Sequence, residues 1–265
     1  MNIFNNNTKI DDIKYIISNI DNTPIEYNFV FVNKTTKNNI IFLIKELFKK
    51  YNIIYYENDI IDILMELISN AIKAVYSNII VTEDLKEKYI EYKDKIDSKE
   101  YIYDENIMNK YYEMINEDEY KIKLRKFIRV ENSLLKDIDN NIDISKNEKY
   151  SRLLPYRKNN EEKFTIKLIV EIVNNHIKFT VINNSPLIKT NKNRIEKKRE
   201  VFKYYYSKGL VDNFFLEQLD NTESAGFGLA ICDLKLYNNN IAPYDNLKIF
   251  DLNNKTHSVL IIPIM

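Results

Sequence analysis

Ser224 to Ile231, with the sequence Ser-Ala-Gly-Phe-Gly-Leu-Ala-Ile, is the stretch of this chain whose residue types most directly indicate chemistry. The whole chain contains only three glycines, and Gly226 and Gly228 are two of them. An apolar helical pattern follows at once, from Leu229 to Leu236. Glycines that lead into a helix N-terminus leave backbone N–H groups free at the positive end of the helix dipole, where phosphate binds well. The stretch therefore predicts a phosphate-binding turn, and the alternative is an ordinary flexible loop before a helix.

A second set of polar residues, Glu66, Asn70 and Lys73, lies in a helical pattern predicted from about residue 58 to about residue 78. At about 100° per residue, the spacing i, i+4, i+7 places all three in one narrow stripe beside a broad apolar arc. Such a row suits a metal–phosphate group. The amide oxygen can bind Mg²⁺, the carboxylate can orient water, and the ammonium can contact a phosphate oxygen. The alternative is a solvated helix face that carries a Glu–Lys pair.

Between these two motifs the sequence predicts a β-hairpin and a long connection. Residues 164–170 and 177–181 alternate apolar and polar side chains, and Asn174-Asn175 predicts the turn between them. The second strand leads into the polar loop Asn183–Ile188, a position where ligand-binding groups are often placed. The connection from 189 to 223 is basic and then aromatic, and it contains Ser207-Lys208-Gly209. We expect it to be a mobile lid.

The other predicted elements frame these motifs. The patterns predict a short helix near residues 10–20, a strand at Ile25–Phe31, a helix at 38–51, and two closing strands at 247–252 and 258–262. The charged segment 82–160 has few strand patterns, and we expect a helical insertion whose first helix Thr82 caps. His176 and His257 are both predicted to lie at turns.

Composition limits the possible functions of these 265 residues. Lys plus Arg equals Asp plus Glu at 39 each, so the formal net charge is zero and no nucleic-acid or anionic-membrane partner is indicated. The single cysteine, Cys232, excludes an intrachain disulfide and is predicted to be a small core residue. We find no pattern of a signal peptide or of a membrane-spanning segment, so we expect a cytoplasmic protein.

Together these features resemble the GHKL (Bergerat-fold) ATPase superfamily, which includes the ATP-binding domains of sensor histidine kinases and the anti-sigma serine kinases. Glu66–Ala74 resembles the asparagine box of that superfamily. Ser224–Ile231 resembles its second glycine box, with Ser224 at the first glycine and Phe227 at the leucine. Residues 201–208 resemble the lid of the quorum-sensing type of histidine kinases. The resemblance covers about residues 25–78 and 164–264, and it does not cover the insertion.

One motif departs from the family pattern. Asn183–Ile188 stands where the family has an Asp-x-Gly-x-Gly box, with Asn183 at the aspartate. Ser185 and Leu187 replace both glycines, so this loop must be shaped differently.

The resemblance implies a fold and a site. The chain would be a single α+β domain over residues 1–265, a two-layer α/β sandwich with a mixed, mostly antiparallel sheet, helices on one face, and the insertion at 82–160. The expected ligands are ATP and Mg²⁺. Asn70 would hold Mg²⁺, Glu66 would act catalytically near the γ-phosphate, and Asn183 would accept a hydrogen bond from the adenine amino group. The remaining expected contacts are to phosphate, from the side chains of Lys73 and Lys208 and from the backbone around Ser224, Gly226, Phe227, Gly228 and Leu229.

The histidines restrict what such a protein could do. His176 and His257 are the only two, and neither lies on a predicted helix followed by an acidic residue. The sequence thus excludes an ordinary self-phosphorylating histidine kinase. The first hypothesis is an ATP/Mg²⁺-binding kinase or ATPase that acts in trans on a protein partner, recruited through the insertion or the lid. The alternative is a partly degenerate nucleotide-binding or protein-interaction module without catalysis. A nucleic-acid enzyme of the gyrase or MutL kind is disfavoured by the neutral charge.

Overall fold

The structure is a computed structural model that describes residues 2–5, 8, 10–30, 32–144, 147–151, 153, 161–219 and 227–264. For Phe4, Gln218, Leu219 and Phe227 it describes the backbone alone. Ser224 and Gly226, which were predicted to bind phosphate, lie outside the described residues.

One mixed sheet of six strands organises the fold. The strands are β1 (Asn2–Phe4), β2 (Ile25–Phe29), β3 (Ile166–Val173), β4 (His176–Asn183), β5 (Leu247–Leu252) and β6 (Lys255–Pro263). Their order across the sheet is β1-β2-β3-β4-β6-β5. The pair β1–β2 is parallel, and all other neighbouring pairs are antiparallel. This mixed sheet with helices confirms the predicted α+β class, although the three-residue edge strand β1 was not predicted.

Helices account for most of the other described residues. They are α1 (Ile10–Ser18), α2 (Lys34–Lys50), α3 (Glu57–Lys88), α4 (Lys93–Asp97), α5 (Glu105–Asn116), α6 (Asp118–Asp139), α7 (Glu161–Phe164), α8 (Lys189–Ser207), α9 (Val211–Leu219), α10 (Phe227–Asn238) and α11 (Pro243–Asn246). Short 3₁₀ turns occur at Ile54–Tyr56, Ile90–Tyr92, Glu100–Tyr103 and Glu148–Tyr150.

The main hydrophobic core lies between one face of the sheet and helices α1, α2, α3 and α10. Alternation along the strands produces this arrangement, because every second side chain points to the same face. Leu168 and Phe179, for example, are fully buried in the core. The strand residues that alternate with them point to the opposite face of the sheet, where Lys167 pairs with Glu26 at 2.9 Å.

Asparagine replaces glycine at most of the tight turns. Asn174 and Asn175 have φ of 48° and 59°, and Asn253 and Asn254 have φ of 54° and 58°. Two consecutive residues with positive φ are typical of the type I′ turn, whose twist matches that of the flanking strands. Asparagine adopts this left-handed conformation more readily than other side-chain-bearing residues. The predicted hairpin turn at Asn174-Asn175 is confirmed, and this use of asparagine explains how the chain folds with so few glycines.

Helix α3 extends further than the sequence pattern indicated. It continues for ten residues beyond the predicted end at Asn78, as far as Lys88. The prediction that Thr82 caps a new helix is therefore wrong. Its hydroxyl donates to the carbonyl oxygens of Asn78 and Ile79 at 2.8 and 3.1 Å, inside the same helix. Apolar residues continue past Asn78 because the helix passes from the main core into a second core.

This second core belongs to the insertion. It is formed by side chains from the end of α3, from α4, α5 and α6, from the 3₁₀ turn Glu100–Tyr103, and from Ile188 of the loop after β4: Ile80, Val81, Leu85, Ile96, Tyr101, Ile107, Met108, Tyr111, Met114, Tyr120 and Ile188. Asn78 joins α3 to the insertion, because its Oδ1 accepts from the hydroxyls of Tyr101 at 2.8 Å and Tyr111 at 3.3 Å. The insertion is helical, as predicted, and it packs directly on the helix that carries Glu66 and Asn70.

The connection predicted as a long loop is also helical. Residues 189–219 form α8 and α9, joined by a tight turn at Gly209. Ile195, Arg199 and Phe202 follow helical spacing on the inner face of α8. Because few apolar residues stand among many charges, the periodicity was not evident from the sequence. Phe202 and Phe214 pack edge to face at 5.1 Å and hold the two helices together.

Both histidines lie in strands. His176 was predicted to lie at the hairpin turn, but it is the first residue of β4, directly after that turn, and its Nδ1 lies 2.6 Å from the carbonyl oxygen of Asn174. The prediction of a turn for His257 is wrong, since it lies within β6 and stacks on Phe250. Burial lowers the pKa of His257 below its ordinary value. Among the described helices, none has a stretch that is long and apolar enough to cross a bilayer.

Candidate functional site

Glu66 and Asn70 are joined directly on α3. The amide nitrogen of Asn70 donates to Glu66 Oε1 at 3.0 Å, and both side chains are half-buried. No group in the described part of the chain donates to Oδ1, the side-chain oxygen of Asn70, so this oxygen is available to a ligand. Lys73 lies further along the same stripe, exposed and with no ion pair to any described carboxylate. The predicted row of carboxylate, amide and ammonium is present on one helix.

Gly228 lies against the Glu66 side chain. A Cβ atom built on Gly228 would lie 1.7 Å from Glu66 Oε1 and 2.2 Å from its Cδ. No side chain larger than hydrogen can occupy this position while Glu66 keeps its conformation. Gly228 is the second residue of α10, so the Glu66 carboxylate lies against the first turn of that helix. The first-turn N–H groups of a helix have no partner within the helix and carry partial positive charge.

Polar contacts hold α3 and α10 in this relation. Lys235 of α10 donates to Asp59 and Asp62 of α3, each at 2.8 Å, and Asn239 also donates to Asp59 at 2.8 Å. Burial raises the pKa of Asp59, but the bonds from Lys235 and Asn239 outweigh it and lower the pKa below the ordinary value. Burial lowers the pKa of Lys235, but the hydrogen bonds to the Asp59 and Asp62 carboxylates outweigh it and raise the pKa above the ordinary value.

A buried ion pair fixes α8 on α10. The guanidinium of Arg199 binds both carboxylate oxygens of Asp233, each at 2.8 Å, and Asp233 is fully buried. The other N–H groups of Arg199 donate to the carbonyl oxygens of Leu247 at 2.8 Å and Pro243 at 3.1 Å. Burial raises the pKa of the Asp233 carboxyl, and the bonds from Arg199 oppose that rise.

Sequence reasoning missed this pair. The available signal was Asp233, an acidic residue inside an otherwise apolar helical pattern. Its partner Arg199 was hidden in a basic run.

Asn183 lies at the end of β4. It is almost fully buried, and its Oδ1 accepts from the backbone N–H of Ser185 at 2.9 Å. The carbonyl oxygen of Ser185 accepts from both the N–H and the hydroxyl of Thr256, at 2.9 and 2.8 Å. Thr256 is the cross-strand partner of Asn183. The loop that lacks both glycines is thus closed by its own hydrogen bonds, and one acceptor position of Asn183 is already occupied.

The insertion reaches the same loop. Ile188 is buried in the core of the insertion, and Leu187 donates its backbone N–H to Asp251 at 3.0 Å. Tyr103 of the insertion donates to Asn254 Oδ1 at 3.1 Å, in the turn between β5 and β6. The insertion therefore contacts both the α3 helix and the strand ends around Asn183.

Other predicted positions have different surroundings. Lys208 directly follows the last residue of α8 and is exposed. No contact in the described residues joins it to Glu66, Asn70 or Gly228. Gly209, with φ of 69°, closes α8 in a Schellman turn in which Leu210 N–H binds the Tyr205 carbonyl at 2.9 Å. The third glycine therefore caps a helix.

Leu229 and Phe227 complete the described part of the glycine motif. The Leu229 side chain is buried in the main core, so its backbone alone could meet a ligand. Phe227 is the first residue of α10. Ser224 and Gly226 lie outside the described residues.

Cys232 is a core residue, as predicted. It is 1 % exposed, and burial together with the nearby Glu66 charge raises the pKa of its thiol far above the ordinary value. A thiol held in its neutral form is a poor nucleophile.

The donor set near Glu66 suits one kind of metal. Within the described ranges, no three His, Cys, Asp or Glu side chains come together as a protein-only metal site. Mg²⁺ is commonly held by one or two protein oxygens, with substrate phosphates and water as the other ligands. The free oxygen of Asn70 beside the Glu66 carboxylate fits that kind of site.

No protein-family model, curated protein or solved structure shows a significant match to this chain. The assignment of function therefore rests on the geometry of the site and on the sequence motifs.

Proposed function

We propose that this chain is an ATP- and Mg²⁺-binding protein with a Bergerat-type fold, acting as a kinase or ATPase on a protein partner. The observation that carries the proposal is the contact of Gly228 with Glu66, the hydrogen-bonded partner of Asn70. Gly228 is far from both of these residues in sequence. The arrangement of a stripe-bearing helix, a β-hairpin and a second helix entered through glycine also supports it. So does the sheet, since it is mixed and mostly antiparallel with the core helices on one face.

In this proposal each residue has a defined task. The Asn70 oxygen takes a coordination position on Mg²⁺, which supplies charge neutralisation to the phosphates when bound. The N–H groups in the first turn of α10 donate to phosphate oxygens, and Lys73 contributes a positive charge from the same face of α3. Asn183 accepts from the adenine amino group with the acceptor position that Ser185 leaves free. Lys208 contributes only if the end of α8 moves toward the site.

Glu66 is the proposed catalytic residue. An acceptor hydroxyl or a water molecule attacks the γ-phosphorus, the bond from that phosphorus to the β–γ bridging oxygen breaks, and ADP leaves with the electron pair. The Glu66 carboxylate accepts the proton lost by the attacking oxygen. Phosphoryl transfer needs mainly positioning and charge stabilisation, which a carboxylate fixed between Asn70 and Gly228 can provide.

ATP turnover tests this role. We expect Glu66→Gln to lower the turnover of ATP by at least about 100-fold, the effect of losing a general base, while nucleotide binding persists. Equal turnover by the parent and Glu66→Gln would refute the catalytic role. The exposed Glu87, on the same helix but outside the stripe, provides the matched control Glu87→Gln.

A second function is favoured by one specific observation. The loop after Asn183 satisfies its own hydrogen-bonding groups through Ser185, Thr256 and the contact between Leu187 and Asp251. A site of this kind could serve as a nucleotide-binding or protein-interaction module without catalysis. ATP binding with no turnover by the parent would support this alternative.

A further inference from the structure

Helix α8 concentrates positive charge in a chain whose net charge is zero. Its 19 residues include seven basic side chains against two acidic ones, Glu196 and Glu200. Three of the cations, Arg194, Lys197 and Lys198, line a cavity of about 250 Å³ whose other walls are Val201 and Phe214. The proposed ATP site uses none of these side chains.

Helical spacing places the cavity on one face of α8. Arg194, Lys197, Lys198 and Val201 stand at i, i+3, i+4 and i+7, so their side chains share a surface. The neighbouring positions Ile195, Arg199 and Phe202 face inward instead. Phe214 of α9 is buried against Phe202 and closes the cavity from the other helix.

Two cations of the cavity, Arg194 and Lys197, differ from others on α8 in how their charge is balanced. Lys192 lies 3.8 Å from Glu196, and Arg199 is bonded to Asp233. For Arg194 and Lys197, no carboxylate among the described residues lies within ion-pair distance. Like charges brought together on one helix face repel each other, and an anion bound between them relieves that repulsion.

We propose that this cavity binds a phosphate monoester. Its volume is slightly below the roughly 300 Å³ at which pockets for drug-sized ligands begin, so it suits one phosphorylated group. The planar guanidinium of Arg194 can donate two parallel hydrogen bonds to phosphate, and Lys197 adds a point charge. A phosphate dianion matches several cations better than a single carboxylate does. Val201 and Phe214 offer apolar contact to the carbon part of the ester.

Two sources could supply such a group: the phosphorylated side chain of a protein, or a free nucleotide. Phenyl phosphate serves as the first probe because it has both a phosphate and an aromatic ring. Binding is measured by isothermal titration calorimetry with the full chain. The same titration is repeated with a short phosphotyrosine peptide, its unphosphorylated form, and AMP, and it is run again after the protein is saturated with Mg²⁺ and an ATP analogue.

Charge-matched variants show where phenyl phosphate binds. The double variant Arg194→Ala/Lys197→Ala should weaken phenyl phosphate binding by at least about tenfold, the loss expected for one charge-assisted hydrogen bond. The control Lys189→Ala/Lys192→Ala removes the same charge from exposed positions of the same helix and should leave the Kd unchanged. Asn70→Ala should also leave it unchanged.

Each outcome is decisive. Binding that falls only in the cavity variant supports the proposal, and the peptide and AMP arms then show which source is preferred. No binding by the parent, or an equal loss in the two double variants, would overturn it. Loss in Asn70→Ala, or competition by the ATP analogue, would assign the phosphate to the nucleotide site and overturn it as well. Because Arg194 and Lys197 are exposed, their replacement should leave the fold intact, which circular dichroism checks.

Discussion

The Glu66 carboxylate occupies the space that any side chain at position 228 would need, since a Cβ on Gly228 would lie 1.7 Å from Glu66 Oε1. Glu66 also accepts a hydrogen bond from Asn70 at 3.0 Å. The carboxylate is thus restricted from both sides, by its own helix and by the first turn of α10. A fixed carboxylate beside the first turn of α10 is the arrangement on which the proposed chemistry depends.

Gly228→Ala tests this contact. We expect it to lower the free energy of unfolding by roughly 1–3 kcal/mol, as overpacking does in a filled interior, and to weaken nucleotide binding. In a Glu66→Ala background the same change should be neutral, or stabilising by up to about 1 kcal/mol, because alanine is the better helix former. Urea unfolding of the four proteins in this double-mutant cycle measures the coupling. Equal costs in the two backgrounds would show that Glu66 does not occupy this space.

The Arg199–Asp233 pair should dominate the attachment of α8. Arg199→Met leaves the buried Asp233 carboxylate without its partner, so we expect a loss of about 3–5 kcal/mol in the free energy of unfolding. Lys203→Met on the same helix is the control, since Lys203 is exposed and lies 4.7 Å above the Tyr244 ring. It should cost about 1 kcal/mol or less. Similar costs for both variants, measured by urea unfolding, would contradict the assigned role of the buried pair.

The contact between Lys235 and Asp59 should make stability depend on pH at both extremes. The lowered pKa of Asp59 stabilises the fold fully above its unfolded value of about 3.9, and this contribution is lost as pH falls through the lower folded pKa. The raised pKa of Lys235 contributes below about 10.4 and is lost as pH rises through the higher folded value.

We therefore expect Lys235→Met to cost about 1 kcal/mol at neutral pH, and less in acid, where protonated Asp59 makes a weaker partner. Urea unfolding across pH checks this. Lys248→Met, at an exposed position without an ion pair to any described carboxylate, is the control. A cost for Lys235→Met that does not change with pH would mean that the ion pair is not its cause.

Asn78 should control how firmly the insertion is attached. Asn78→Ala removes the acceptor for the Tyr101 and Tyr111 hydroxyls, and each buried hydroxyl left unsatisfied costs about 1–3 kcal/mol. We expect faster hydrogen exchange in α5 while the amides of β3 and β4 keep their protection. Asn109→Ala, at an exposed position of α5, is the control. Loss of protection in both regions together would show that the insertion and the sheet unfold as one unit.

The sequence predicted the parts of the fold in which periodicity is strong. The alternation of Ile25, Tyr27 and Phe29 predicted β2, and Asn174-Asn175 predicted the hairpin turn between β3 and β4. The local contact between Glu66 and Asn70 follows from i, i+4 spacing on a helix. The strand β1 could not be predicted, because three residues at a sheet edge carry no pattern.

The misses share a physical cause, which is that tertiary contacts determined the local structure. Arg199 stands in a basic run that indicated a solvated loop, yet its pairing with Asp233 orders a helix. His257 was assigned to a turn, but it is drawn into β6, where it stacks on Phe250. The close approach of Gly228 to Glu66 depends on how α10 crosses α3, and no local pattern encodes that crossing. Thr82 resembles a cap because the sequence does not show that the insertion continues α3.

The most direct test of the proposed ATP site is calorimetric titration of a non-hydrolysable ATP analogue with Mg²⁺ into the parent, Asn70→Ala and the control Asn109→Ala. We expect micromolar binding, about −8 kcal/mol, by the parent and the control, and none by Asn70→Ala. Equal binding by Asn70→Ala would place the nucleotide elsewhere, and no heat from the parent would contradict the assignment of an ATP site.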